Sequence, residues 1–163
     1  MKHLTRAVLL TSILALAACS DPGRFGDDTV NLNGSGSASD PSSPLYFQES
    51  IGDRVFFAVD QSSLSDAAKF TLDAQADWMA TNSDYTAIIE GHADEQGTRE
   101  YNLALGARRA NSVQEYLVLR GVSPARLKVV SYGKERPIEI CSQEACYAKN
   151  RRVVTIISAD YTG

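Results

Sequence analysis

A polar run between positions 90 and 110 gathers the side chains best suited to chemistry. It reads Glu90-Gly-His-Ala-Asp94-Glu-Gln-Gly97-Thr98-Arg-Glu-Tyr-Asn102-Leu-Ala-Leu105-Gly-Ala-Arg-Arg109-Ala110. Asn102 and Arg109 are seven positions apart, so on a helix they share one face two turns apart. Asp94 precedes that helix on a loop whose Gly91 and Gly97 permit tight backbone. An acid and a base facing one cleft suit a zwitterion. Asp94 would take an ammonium group, and Arg109 would take a carboxylate, preferably with two parallel N–H bonds. Backbone N–H groups at the helix start would hold a further carboxylate oxygen. The same residues also fit blander roles: Asp94 as a helix cap or the partner of a neighbouring Arg, Arg109 as a solvated helix charge. Residue types alone leave both open. His92 reads best as a half-buried histidine at a strand end bonded to backbone, because a lone His without a Ser or Cys partner is weak evidence for catalysis.

These residues need elements to position them. Arg54-Val-Phe-Phe-Ala-Val59 is β-branched and aromatic, and predicts a strand ended by Asp60. Ser65 caps a helix to about Met79, with Ala68, Leu72, Ala76 and Met79 on its core face. Tyr85–Glu90 predicts a second strand. Asn102–Arg120 predicts a second helix with Leu103, Ala107, Ala110, Val113 and Leu117 inward and Gly121 as its stop. Ser123-Pro124 starts a single turn. Leu127–Tyr132 and Arg152–Ile157 complete four strands, with Glu144–Asn150 as a short helix between them. The order β-α-β-α-β-(α)-β implies an α+β chain: a two-layer sandwich with helices packed on a mixed sheet.

The start of the chain reads as an address. Lys2 and Arg6 precede an apolar run, Ala7–Ala18, too short for a membrane span of about 20 residues. Leu16-Ala17-Ala18-Cys19 matches a lipobox, in which the cysteine is acylated and the chain is cut just before it. Residues 1–18 are thus a lipoprotein signal peptide, and two or more acyl chains on Cys19 anchor the remainder stably. Ser20, where an Asp would favour the inner membrane, points to the outer membrane. The mature chain has 145 residues, and loss of Lys2 and Arg6 takes the net charge from −4 to −6. That balance argues against nucleic acid as a partner, since phosphate attraction needs a basic surface. One remaining histidine excludes Cys₂His₂ and His₃ zinc sites, and no cofactor is implied. Residues 20–44 hold six Ser, four Gly, three Pro and four Asp. They read as a flexible linker with a reach of about 25–30 Å, so residues 45–163 form the domain. Cys141 and Cys146, five apart in an exported chain, predict a disulfide that adds about 2 kcal/mol on the chain-entropy model.

Residues 54–158 resemble the OmpA-like peptidoglycan-binding domain family. Its pattern falls on Asp94, Gly97, Asn102, Leu105, Gly106, Arg109 and Ala110. Gly91-His-Ala-Asp-Glu-x-Gly-Thr-x-Glu-Tyr-Asn102, Ser131-Tyr-Gly-Lys-Glu-x-Pro137 and Asn150-Arg-Arg-Val153 are similar to its lipid-anchored branch. The resemblance implies noncovalent binding of the diaminopimelate in the peptidoglycan stem peptide, with Asp94 and Arg109 as the gripping pair. It places Asp60, Gly97, Thr98, Asn102, Leu105 and Arg151 around them. It implies a tether between outer membrane and cell wall within the Tol–Pal system of envelope integrity and cell division, with TolB and other components of that system as partners. Two positions depart from the pattern: Gly106 stands where Ser or Thr is usual, and Val59 where Phe commonly precedes Asp60. Two other functions compete. One is a wall hydrolase using His92 or the Glu90, Asp94 and Glu95 carboxylates; the other is a lipoprotein that docks only to protein.

Overall fold

The computed structural model describes residues 36–159. The expected signal peptide, Cys19 and the linker up to residue 35 lie outside the described residues. Four strands form one mixed sheet: β1 Arg54–Phe56, β2 Tyr85–His92, β3 Leu127–Gly133 and β4 Arg152–Ala159. Their spatial order is β1-β4-β2-β3. β4 lies antiparallel between β1 and β2, while β2 and β3 run parallel. The helices are α1 Pro44–Tyr46, α2 Asp66–Thr81, α3 Arg99–Leu119 and α4 Glu144–Asn150. The expected α+β sandwich is therefore the observed one.

Helix α2 starts where Ser65 Oγ accepts the Ala68 N–H at 3.1 Å, a side-chain cap. Ala68, Leu72, Ala76 and Met79 are all buried, as their spacing predicts. Trp78 is buried as well, as is Gln75, whose amide is bonded at both its nitrogen and its oxygen. Its Nε2 donates to Gly52 O at 2.6 Å, and its Oε1 accepts from Thr155 Oγ1 at 2.9 Å. Helix α3 begins three residues before the expected Asn102, because Thr98 Oγ1 caps it by accepting the Tyr101 N–H.

The structure corrects the inward face of α3. Leu103 is 48% exposed, and the buried stripe is Asn102, Leu105, Gly106, Arg109, Ala110, Val113 and Leu117. Apolar spacing misassigns Leu103 because two polar residues, each with buried partners, hold the inward positions. β1 is also shorter than expected. Its pairing with β4 runs out at Phe56 opposite Arg152, after which Phe57 N makes one last bond to Arg151 O.

Residues 41–44, read as linker, are packed on the domain. Ser43 is buried and accepts the Tyr46 N–H as the cap of α1. Trp78 Nε1 donates to Pro41 O at 2.7 Å. A single wide turn, Phe47–Gly52, continues α1 and buries Phe47 edge-on against Trp78. These short pieces carry no periodicity long enough to read in sequence.

Helix α3 lies against β2 through a contact between two glycines. A Cβ on Gly91 would sit 1.9 Å from Gly106 O, and one on Gly106 would sit 2.5 Å from Ser131 Oγ. This explains the departure at Gly106. The hydroxyl there comes from the neighbouring strand instead, since Ser131 Oγ donates to Leu103 O at 2.6 Å.

Candidate functional site

The site forms where β2 runs into the loop before α3. Asp94 leaves the strand end with its side chain 9% exposed. Its Oδ1 accepts the Gln96 N–H at 3.1 Å, which turns the loop back on itself. Its Oδ2 accepts from Arg151 Nη1 at 3.1 Å. Arg151 also donates through Nε to Phe57 O at 3.2 Å and through Nη2 to Glu144 Oε1. Burial by itself would lower the Arg151 pKa, but the bonds to Glu144 and Asp94 outweigh it and raise the pKa. Asp94 is thus the partner of an arginine, one of the two roles its sequence context left open.

Arg109 is not a solvated helix charge, nor does it lie open in a cleft. It is fully buried, and three main-chain carbonyls hold it. Nε donates to Gln61 O at 2.8 Å, Nη1 to His92 O at 2.9 Å and Nη2 to Ala58 O at 3.1 Å. Its guanidinium carbon lies 5.3 Å from the centre of the Phe57 ring. Burial pulls its pKa down to about 10; Asp94 and Asp60 oppose the fall, while Arg151 and Arg108 add to it. It stays cationic at neutral pH. Asp94, Arg151 and Arg109 therefore form one coupled charge cluster. Arg109 bonds the carbonyl two residues before Asp94, and no Asp94–Arg109 bond is present.

The other expected residues surround this cluster unevenly. Asp60 adopts the left-handed backbone region, φ 57°, which Asp tolerates better than most residues, and its carboxylate accepts from Tyr101 Oη. Asn102 is 1% exposed and donates to Gln96 O at 2.7 Å, so it braces the loop. Thr98 and Gly97 sit exposed at the helix start. Leu105 is buried on the same helix face as Arg109. Val59 is 53% exposed, so it does not form a buried wall of the site.

Several contributors escaped the sequence reading. Lys134 Nζ donates to Gly97 O at 2.7 Å and Glu95 O at 3.3 Å, holding the loop from the β3 side. Tyr147 Oη donates to Glu95 Oε1 at 3.0 Å. Glu144, at the first turn of α4, reaches Arg151. The available signals were Lys134 within the Ser131–Pro137 motif and Glu144 as the acid opening a short helix. Cys141 and Cys146, which bracket that turn, form a disulfide with Cα atoms 6.0 Å apart.

His92 differs from the expected half-buried, backbone-bonded histidine. Its side chain is 2% exposed, and neither ring nitrogen has a hydrogen-bond partner among the described residues. The ring lies 5.6 Å from that of Tyr132, and Nε2 is 3.7 Å from Glu90 Oε2. Burial, with the charges of Arg152 and Arg136, lowers its pKa to about 4. The folded chain keeps this histidine neutral, while the unfolded chain protonates it near 6.5. Folding stability should therefore fall as pH drops from about 6.5 to 4, by about 3 kcal/mol at most. Urea unfolding of the wild type and of His92→Leu at pH 7 and pH 4.5 checks this. The wild type should lose more stability on acidification than the variant does.

A family model described as the OmpA family matches residues 56–151, more than half of the chain. The peptidoglycan-associated lipoprotein of Mesorhizobium japonicum is 47% identical over 154 residues, 93% of this chain and 90% of that protein. The one from Rhizobium meliloti is 46% identical, over 92% of this chain and 85% of that protein. The crystal structure of the peptidoglycan-associated lipoprotein from Burkholderia pseudomallei superposes with a TM-score of 0.66 at 37% identity. It covers 74% of this chain and 98% of that one. The C-terminal domain of Helicobacter pylori MotB shares the fold, with a TM-score of 0.62 at 23% identity. The chain belongs to the OmpA family, and within it to the peptidoglycan-associated lipoproteins.

Proposed function

We propose that this chain is an outer-membrane lipoprotein that holds the cell wall without chemistry. In this reading residues 1–18 are removed, Cys19 carries the lipid, residues from 20 to about 40 form the leash, and the folded domain grips diaminopimelate in the stem peptide. The observation that carries the reading is the desolvated cluster of Asp94, Arg151 and Arg109 at the end of β2. A zwitterionic end of a larger molecule needs opposite charges at fixed spacing, and burial makes each of them stronger than at a solvated surface.

Asp94 takes the ammonium. Arg109, fully buried and bonded to three carbonyls, fixes the strand end and the Asp94 loop around the ligand, and the ligand carboxylate meets the backbone N–H groups at the start of α3. Gly97 and Thr98 lie exposed at the helix start, where Tyr101 ties α3 to Asp60. The family relationship adds the Tol–Pal system and its component TolB as partner, competing with the wall for an overlapping face. No group in this arrangement is assigned a catalytic role.

The decisive experiment is co-sedimentation with purified diaminopimelate-type peptidoglycan. The wild type should pellet, and free diaminopimelate should release it. Asp94→Asn keeps the shape of the side chain and its acceptor for the Gln96 N–H but removes the charge. It should bind about 10–100-fold more weakly, as expected for one lost charge-assisted bond. A wild type that stays in the supernatant, or Asp94→Asn binding like the wild type, would overturn the reading. Release of soluble muropeptides would favour a hydrolase instead.

A further inference from the structure

One guanidinium in the site is shared by two carboxylates. Arg151, 6% exposed, binds Asp94 on one side and Glu144 on the other, and Glu144 itself is 67% exposed. Without Glu144, the cluster of Asp94, Arg151 and Arg109 carries one excess positive charge, which opposes an incoming cation. Glu144 cancels that excess and draws part of the Arg151 guanidinium away from Asp94. Glu144 also occupies Nη2, so Arg151 cannot close both of its outer nitrogens on Asp94.

The placement of Glu144 is built in. Cys141 and Cys146 close a small ring that contains it, at the start of α4. The rest of that segment is fastened independently. Asn150 Oδ1 accepts from Ile138 N and Glu139 N, and Asn150 Nδ2 donates to Glu139 O. Tyr147 ties the same helix to Glu95. The disulfide therefore acts on the first turn, where Glu144 sits, and the second turn has its own anchors.

We propose that Glu144 is a specificity-determining residue of the site. Held by the Cys141–Cys146 ring, it offsets the excess positive charge of Arg109 and Arg151 and shares Arg151, so that the Asp94 carboxylate stays only partly neutralised and can select an ammonium-bearing ligand. This inference rests on the proposed wall-binding function. It makes ammonium recognition dependent on the oxidation state of the ring.

The test compares the full chain, oxidised and reduced, as wild type, Glu144→Gln and Glu144→Asp. Binding to purified peptidoglycan is measured in competition with meso-diaminopimelate and with pimelate, which has the carboxylates but no amines. Glu144→Gln should bind about tenfold more weakly and lose its preference for diaminopimelate over pimelate. Glu144→Asp, which keeps the charge, should stay within about threefold of the wild type. Reduction should weaken the wild type as much as Glu144→Gln does, and should add little to that variant, because both act through one contact. Additive losses, or Glu144→Gln binding and discriminating like the wild type, would overturn the proposal. A second measurement needs no ligand: the guanidinium NMR signals of Arg151 should shift in Glu144→Gln and on reduction. A wild type that fails to bind peptidoglycan sinks the functional reading. Signals of Arg151 that stay in place sink the inference on their own.

Discussion

Arg109→Ala should unfold most of the protein's margin of stability, a loss of about 4 kcal/mol or more in urea denaturation. The reason is local. Removing the side chain takes the guanidinium donors from the carbonyls of Ala58, Gln61 and His92, of which Ala58 O keeps the Gln61 N–H at 3.2 Å. A buried acceptor left without a partner costs about 1–3 kcal/mol, and the emptied volume adds a cavity term. Small domains have only about 5–15 kcal/mol to lose. Arg109→Lys should recover part of the loss, because a single ammonium reaches fewer of three divergent carbonyls than the planar guanidinium does. A midpoint within about 0.3 M urea of the wild type would show that the three bonds contribute little. The expected result also bears on the function. Lost wall binding in an Arg109 variant does not separate a missing ligand contact from a collapsed site, so Asp94→Asn is the cleaner probe.

Gly91→Ala should be comparably damaging, by about 3 kcal/mol or more. Its added methyl would meet main-chain atoms, Gly106 O at 1.9 Å and Gly106 C at 2.6 Å, with the Ala110 Cβ at 3.1 Å. No flexible side chain can yield there, so α3 must move away from β2. That movement would carry Arg109 off the His92 carbonyl on the adjacent strand end. Gly106→Ala offers a graded comparison. It gains about 1 kcal/mol of helix propensity; its added methyl meets a side-chain hydroxyl, Ser131 Oγ, at 2.5 Å and one main-chain oxygen, Gly91 O, at 2.8 Å, a milder clash than at Gly91. Thermal melts should rank the wild type first, then Gly106→Ala, then Gly91→Ala. Equal melting temperatures for Gly91→Ala and the wild type would mean that the helix–strand contact is looser than described.

How far the chain could be read from sequence depended on the length of each signal. The long strands and helices were legible because periods of two and of about 3.6 repeat several times in Tyr85–His92 or Asp66–Thr81. Pro44–Gly52 was not, because a short turn and one wide turn of different winding give no period. Leu103 was misplaced because the inward stripe of α3 carries Asn102 and Arg109, and a hydrophobic pattern cannot tell a satisfied buried polar residue from an exposed one. The candidate site was legible as residue types but not as partners. Arg151 lies 57 positions from Asp94, and Gln61 lies 48 from Arg109. Such pairings exist only once the crossovers are made. The sharing of Arg151 by Glu144 and Asp94 depends on the sheet, on α4 and on the disulfide together, and no local stretch encodes it.

The last strand to leave the ribosome is also the one that lies between β1 and β2. A chain delivered amino-end first has nothing to put between those two strands until its final segment arrives. Truncation before residue 152 should therefore abolish the whole sheet rather than trim an edge. A chain delivered in that order should close this sheet late, once β4 is available to bridge β1 and β2.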